Sequence, residues 1–210
     1  MAGVQSLTGL NEVLGALARF GLLLKQDPRL PSVVTLLCGE PLATSWWSHP
    51  QSQRIFRILC ELGDHPDVLV TKLLLGKETL VHRTLWPAFL TVATADEPWQ
   101  RHGLSAAARG LLGKVTRAAQ PVAATGQPVK ELSMRLLVHA AEVHTDTGAH
   151  ELTVASWTAW AARTGVEPLR SLTRARAALE AATGSLGAPL TALPWHAKLR
   201  ARTASRPFNP

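Results

Sequence analysis

Mainly α-helical structure with one or two small β-hairpins is the fold class this 210-residue sequence predicts, on three observations. Apolar residues recur at helical spacing along most of the chain. Two β-rich runs, Val68–Leu74 and Thr79–Arg83, bracket a short Gly-containing link and read as a hairpin. Trp86-Pro87 directly after the hairpin is a helix start. With 46% hydrophobic residues the chain is long enough to bury one substantial core or two small ones, and one compact unit of two lobes is expected.

Asn11–Leu24 places Val13, Leu14, Leu17, Phe20 and Leu24 on one helical face, with Asp27-Pro28 to stop it. Leu30–Gly39 is a short apolar run before the Gly39-Glu40-Pro41 breaker and is left without an element. A further helix starts near Ser48 and Pro50, has Ile55, Phe56, Ile58, Leu59 and Leu62 inward, and ends at Gly63. Asp64-His65-Pro66-Asp67 is turn chemistry leading into the hairpin. Ser105 caps a helix carrying Ala108, Leu111, Leu112 and Val115, and Gln120–Pro128 is a turn or short wing. Val129–His144 reads as helix, although Arg135–Val138 also suits a strand, and Ala149–Arg163 reads as helix with Trp157 and Trp160 sharing a core face. Pro168–Ala182 is the last helix, and beyond Gly184 no structure is assigned.

The organisation expected is an N-terminal helical segment over 1–45, a helix-hairpin-helix unit over 46–100, a helical unit over 101–183 and a basic flexible tail over 184–210. Removing that tail should leave the core untouched. Helix, hairpin and helix beside basic residues is the pattern of a winged-helix-like unit, and a packing ornament on a helical domain has the same pattern.

Charge narrows the partner class. The net charge is +7, yet residues 1–160 hold 14 Lys and Arg against 13 Asp and Glu, whereas residues 161–210 hold 8 against 2. Such a concentration suits a polyanion, because neutralised phosphates release counterions. Arg54, Arg57, Lys72, Lys77 and Arg83 along the helix and hairpin are candidate phosphate contacts, with Gln51 or Gln53 reaching a base edge. Arg170, Arg174, Arg176, Lys198, Arg200, Arg202 and Arg206 add a C-terminal basic set. A solvated face paired with Glu61, Asp67 and Glu78 is the alternative for the first group. Trp46-Trp47 either stacks on bases or anchors the start of the helix.

The catalytic candidates are His139, Glu142 and His144, since imidazoles and a carboxylate serve both metal binding and acid/base work. In a helix His139 and Glu142 share a face, but the spacing matches no HExxH-type pattern, and these groups also suit a polar turn between two helices. No metal or cofactor is expected. Neither GxGxxG nor GxxxxGK[ST] occurs, so nucleotide hydrolysis lacks its phosphate loop. Cys38 and Cys60 have no CxxC or CxxH neighbour and read as buried free thiols. The N-terminus has neither a basic leader nor an apolar run of spanning length, so a cytoplasmic protein without a membrane partner is expected. A homodimer is compatible with the Trp-bearing surfaces.

With the hairpin, the Leu104–Val115 helix and the His144–His150 turn, the region Trp46–Trp160 resembles bacterial proteins related to the winged-helix DNA-glycosylase family (AlkZ/YcaQ-like). The resemblance implies tandem winged helices, DNA contact and a link to DNA repair. It also implies a Gln-x-Gln or Gln-x-Asp motif, to which Gln51-Ser52-Gln53 corresponds with Ser in place of the aliphatic middle residue. The chain is about half the length that family implies.

Overall fold

The computed structural model describes residues 2–144 and 150–196. The chain is mainly α-helical, with two small three-stranded antiparallel sheets. Helix α1 (Ala2–Phe20) ends at Gly21, whose φ of 76° turns the chain straight into β1 (Leu22–Leu24). The left-handed turn favours glycine, and a Cβ there would lie 2.7 Å from Leu85 Cδ1 and push that methyl aside. This corrects the expected helix through Leu24: three buried leucines have no period to separate strand from helix, and the glycine decides.

Helix α2 (Val33–Cys38) is capped by Ser32, whose hydroxyl accepts from the Thr35 N–H at 3.2 Å. After a 3₁₀ turn at Trp46–Ser48 comes α3 (Ser52–Gly63), which buries Ile55, Ile58 and Leu62. Ser48 does not cap it, and Phe56, expected on the inward face, is exposed instead. The hairpin β2 (Val68–Thr71) and β3 (Thr79–His82) follows as expected, and β3 also pairs with β1, giving the strand order β1-β3-β2. The succession α1-β1-α2-α3-β2-β3 with that strand order is winged-helix connectivity. It begins at α1, so the expected break at residue 45 falls inside one packed unit.

Helices α4 (Trp86–Ala93) and α5 (Pro98–Arg101) lead to a second unit. Helix α6 (Ala106–Arg117) is capped by Ser105, which accepts from the Ala108 N–H at 3.1 Å. It is followed by β4 (Val122–Ala123), α7 (Gln127–Met134), β5 (His139–His144) and β6 (His150–Ala155), in the strand order β4-β6-β5. The strand order repeats that of the first unit with one helix fewer. Two expected helices are corrected here. Of the expected Val129–His144 helix, only the part to Met134 is helix and His139–His144 is strand, and in the expected Ala149–Arg163 helix His150–Ala155 is strand before the helix starts at Trp157. Leu152 and Val154 turn inward while Glu151 stays exposed, a two-residue period that paired strands satisfy. The turn at 145–149 lies outside the described residues.

Helix α8 (Trp157–Thr164) starts at a Ser156 cap and ends at Gly165, and α9 (Leu172–Ser185) starts at a Ser171 cap and packs along α4. The chain after α9 is not free up to His196. Leu186, Ala188, Ala192 and Leu193 are buried in the first unit's core, and Trp195 Nε1–H donates to Glu180 at 3.0 Å. The expectation of a flexible tail from Gly184 is therefore corrected over this stretch.

Two apolar cores result. The larger joins α1, α2, α3 and the first sheet to α4, α8, α9 and residues 186–193, and the smaller lies among α6, α7 and the second sheet. Trp157 of the larger core reaches the second sheet: its Nε1–H donates to the Leu136 carbonyl at 2.8 Å, and its ring meets Phe89 of α4 and His139 of β5. Among the described residues no helix is long and apolar enough to cross a membrane.

Candidate nucleic-acid interface

A cleft of about 1090 Å³ lies between the two units. One wall is α3 and β2, the other α7, β5 and the end of α8, so that the outer strands of the two sheets, β2 and β5, face each other across it. The outward stripe of α3 is Gln53, Phe56, Arg57 and Cys60, and its Phe56 and Cys60, with Asp64 just past its end, line the cleft.

The candidate cations divide by what holds them. Lys77 Nζ sits 2.7 Å from Asp27, a buried carboxylate that also accepts from the Arg29 and Leu30 N–H groups. Burial opposes that charge, but the Lys77, Arg29 and Leu30 donors outweigh it and hold the Asp27 carboxyl below its ordinary value. Lys77 is thus an internal tie. Arg83 pairs with Asp67 at 2.9 Å, and Arg54 donates to Gln51 at 2.8 Å. Arg176 pairs with Glu97 and lies against Trp195. The hairpin tip does not project as a free wing either. Leu75 N–H donates to Ala192 at 2.8 Å, and a Cβ on Gly76 would lie 3.0 Å from Met134 Cε.

Of the candidates along helix and hairpin, Arg57 and Lys72 have no ion-pair partner among the described residues, and Lys72 lines the cleft. Two cations that sequence reasoning missed join it, Lys130 of α7 and Arg163 of α8. All three are without a carboxylate partner among the described residues. Lys25 and Arg83 also line the cleft, paired with Glu78 and Asp67. The acidic groups there are Glu78, Asp64 and Glu142. Arg170 and Arg174 are exposed and outside the cleft, and Lys198, Arg200, Arg202 and Arg206 lie outside the described residues.

Trp46 and Trp47 divide the two roles read for them. Trp46 is buried and anchors the segment. Trp47 stacks on it with ring centroids 4.0 Å apart, meets Phe56 at 5.5 Å, and stays 62% exposed at the cleft mouth. Gln51 and Gln53 are exposed at the start of α3, outside the cleft, so the Gln-Ser-Gln match does not line it.

The proposed His139–Glu142 pairing is corrected. Both stand on β5, where an i, i+3 pair points to opposite faces. The His139 ring packs against Trp157 and Trp160 at 5.5 and 6.1 Å, and burial, aided by the Arg163 charge, pushes its pKa down to about 4. His139 is neutral near pH 7. The position of the His144 side chain is outside the described set. Among the described residues no three His, Cys, Asp or Glu side chains converge as metal ligands. Burial pushes the Cys60 thiol up, with Asp64 and Glu142 adding to the effect, and burial likewise raises Cys38, so both stay protonated.

Half-buried, neutral His139 gives the fold a pH dependence. Its folded pKa lies below the ordinary 6.5, so protonation favours the unfolded chain. Stability is fully present above pH 6.5 and is lost as the pH falls from there toward 4. His139→Gln should flatten this part of the profile, measured as the urea midpoint against pH.

No family model, curated protein or solved structure matches this chain.

Proposed function

We propose that this protein binds DNA nonspecifically or by structure, using the cleft between its two units as the contact surface. The observation that carries the reading is the convergence of Lys72 after β2, Lys130 of α7 and Arg163 of α8, three cations without a carboxylate partner among the described residues, on one cleft with aromatic residues at its mouth. Cations without partners make an electrostatic seat for phosphates, and they carry no sequence information by themselves. Winged-helix connectivity supports the same reading, with Gln53 and Arg57 exposed on α3 beside the cleft. The resemblance to winged-helix glycosylases adds DNA repair as the setting. Excision chemistry gains no support from the geometry, because His139 is neutral and packed among tryptophans and Gln51 and Gln53 lie outside the cleft.

The test is charge reversal at the three positions. Lys72→Glu with Lys130→Glu and Arg163→Glu should remove most DNA affinity at low salt, as read by fluorescence anisotropy. Each lost phosphate contact should also flatten the salt dependence by roughly 0.7 for single strands or 0.9 for duplex in the log-log slope. Lys77→Glu, which breaks the Asp27 tie, should instead lower stability. Full affinity in the triple variant would place the DNA elsewhere on the protein.

A further inference from the structure

We infer that the cleft mouth is a stacking site for an unpaired nucleobase, held on the outer face of Trp47, and that the protein therefore prefers single-stranded over fully paired DNA. The inference rests on the DNA-binding reading and extends it to the form of DNA taken.

Trp47 is the most exposed large apolar side chain among the described residues, at 62%, and Phe56 beside it is 39% exposed. Burial does not explain Trp47, because the neighbouring Trp46 already supplies the anchor at 5% exposure. The dipeptide is rigidly placed: Ser48 N–H donates to the Ser45 carbonyl at 3.2 Å and His49 N–H to the Trp46 carbonyl at 3.0 Å. One indole face is covered by Trp46 at an interplanar angle of 26°, and Phe56 meets the ring at 38°. The ring stays 62% exposed beside these neighbours, and a base has the flat π surface to stack on what they leave uncovered.

Charge selects the ligand. A protein partner would meet this aromatic face beside a cleft whose unpaired cations, Lys72, Lys130 and Arg163, it would have to neutralise. A nucleic-acid strand satisfies both features, since its bases stack and its phosphates are anionic. The unpaired cations outnumber the one carboxylate, Asp64, that lines the cleft without a partner among the described residues. The size of the cleft is that of a small-molecule site, suited to a nucleotide or two and not to a duplex cylinder.

The experiment compares the full chain with Trp47→Ala and Trp47→Phe on a labelled oligothymidylate and on a blunt duplex of equal length. Wild type should bind the single strand more tightly and lose tryptophan fluorescence on binding. Trp47→Ala should weaken single-strand binding roughly 5- to 150-fold and duplex binding far less, with the chain still folded, and Trp47→Phe should recover much of the loss. Equal effects on both DNA forms, or none, would overturn the stacking site while leaving DNA binding in place. No binding to either form at low salt would remove the DNA reading itself. A wild-type mass that rises with concentration and becomes monomeric in Trp47→Ala would assign the face to self-association and likewise overturn the inference.

Discussion

Trp157→Ala should be the most destabilising single substitution in this chain. The side chain is buried, 3% exposed, and its ring contacts Phe89, Trp160 and His139 with centroids 4.8, 5.6 and 5.5 Å away. Truncation removes that packing at about 3–5 kcal/mol. It also strands the Leu136 carbonyl, which accepts from Trp157 Nε1 at 2.8 Å, at a further cost of about 1–3 kcal/mol. Leu136 is held at a φ of 52°, so this bond also fixes an unfavourable turn between α7 and β5. Trp157→Phe should keep much of the ring packing and lose the hydrogen bond, giving an intermediate effect. Urea unfolding of both variants checks the order. Because Trp157 touches β5 and α4 together, Trp157→Ala should also loosen the cleft and weaken DNA binding. Trp157→Ala unfolding at the wild-type midpoint would mean that the two cores do not depend on it.

Two truncations separate structure from charge at the C-terminal end. Ending the chain at Thr183 removes Leu186, Ala188, Ala192 and Leu193 from the larger core, with each buried leucine worth about 1.5–3 kcal/mol. It also removes the Ala192 carbonyl that accepts from Leu75 N–H at the hairpin tip. That protein should be severely destabilised. Ending the chain at His196 removes Lys198, Arg200, Arg202 and Arg206 while keeping those packed residues. Its unfolding midpoint should match wild type. Its DNA affinity should fall less steeply with salt, by roughly 0.7 in slope for each single-strand phosphate contact removed. Thermal melts and salt titrations on the same two proteins distinguish these outcomes.

The helical parts of this fold were legible because their signals are local. Ser105 and Gly165 mark helix ends, and Trp86-Pro87 marks a start, each through backbone chemistry within one turn. The hairpin was legible for the same reason. The second sheet was not, because Ala140, Ala141 and Glu142 are good helix formers and only pairing with Leu152–Val154 makes them a strand. The leucine triplet of β1 was equally ambiguous. Residues 186–193 looked like tail because Gly and Pro interrupt them, yet their leucines and alanines fill a core built by distant helices.

The candidate interface was least legible of all. Lys72 was among the basic residues read along the hairpin, but Lys130 and Arg163 are solitary in sequence, and the folding of two units against each other brings them to the same cleft. The sequence-dense basic residues Arg54, Lys77 and Arg83 proved to hold internal partners instead. Charge density along the chain therefore did not locate charge available for a ligand. Trp47 carried a partial signal, since two adjacent tryptophans seldom both find burial at one helix start.

The most direct measurement is a titration of the full-length protein with a labelled single strand across a range of salt concentrations. The account predicts binding at low salt and a linear fall of log affinity with log salt. Its slope should correspond to at least the three cleft cations, roughly −2 at 0.7 per contact, and should lessen in the triple charge-reversal variant. No measurable binding at low salt, or an affinity that does not change with salt, would contradict the claim that these cations seat a phosphate backbone.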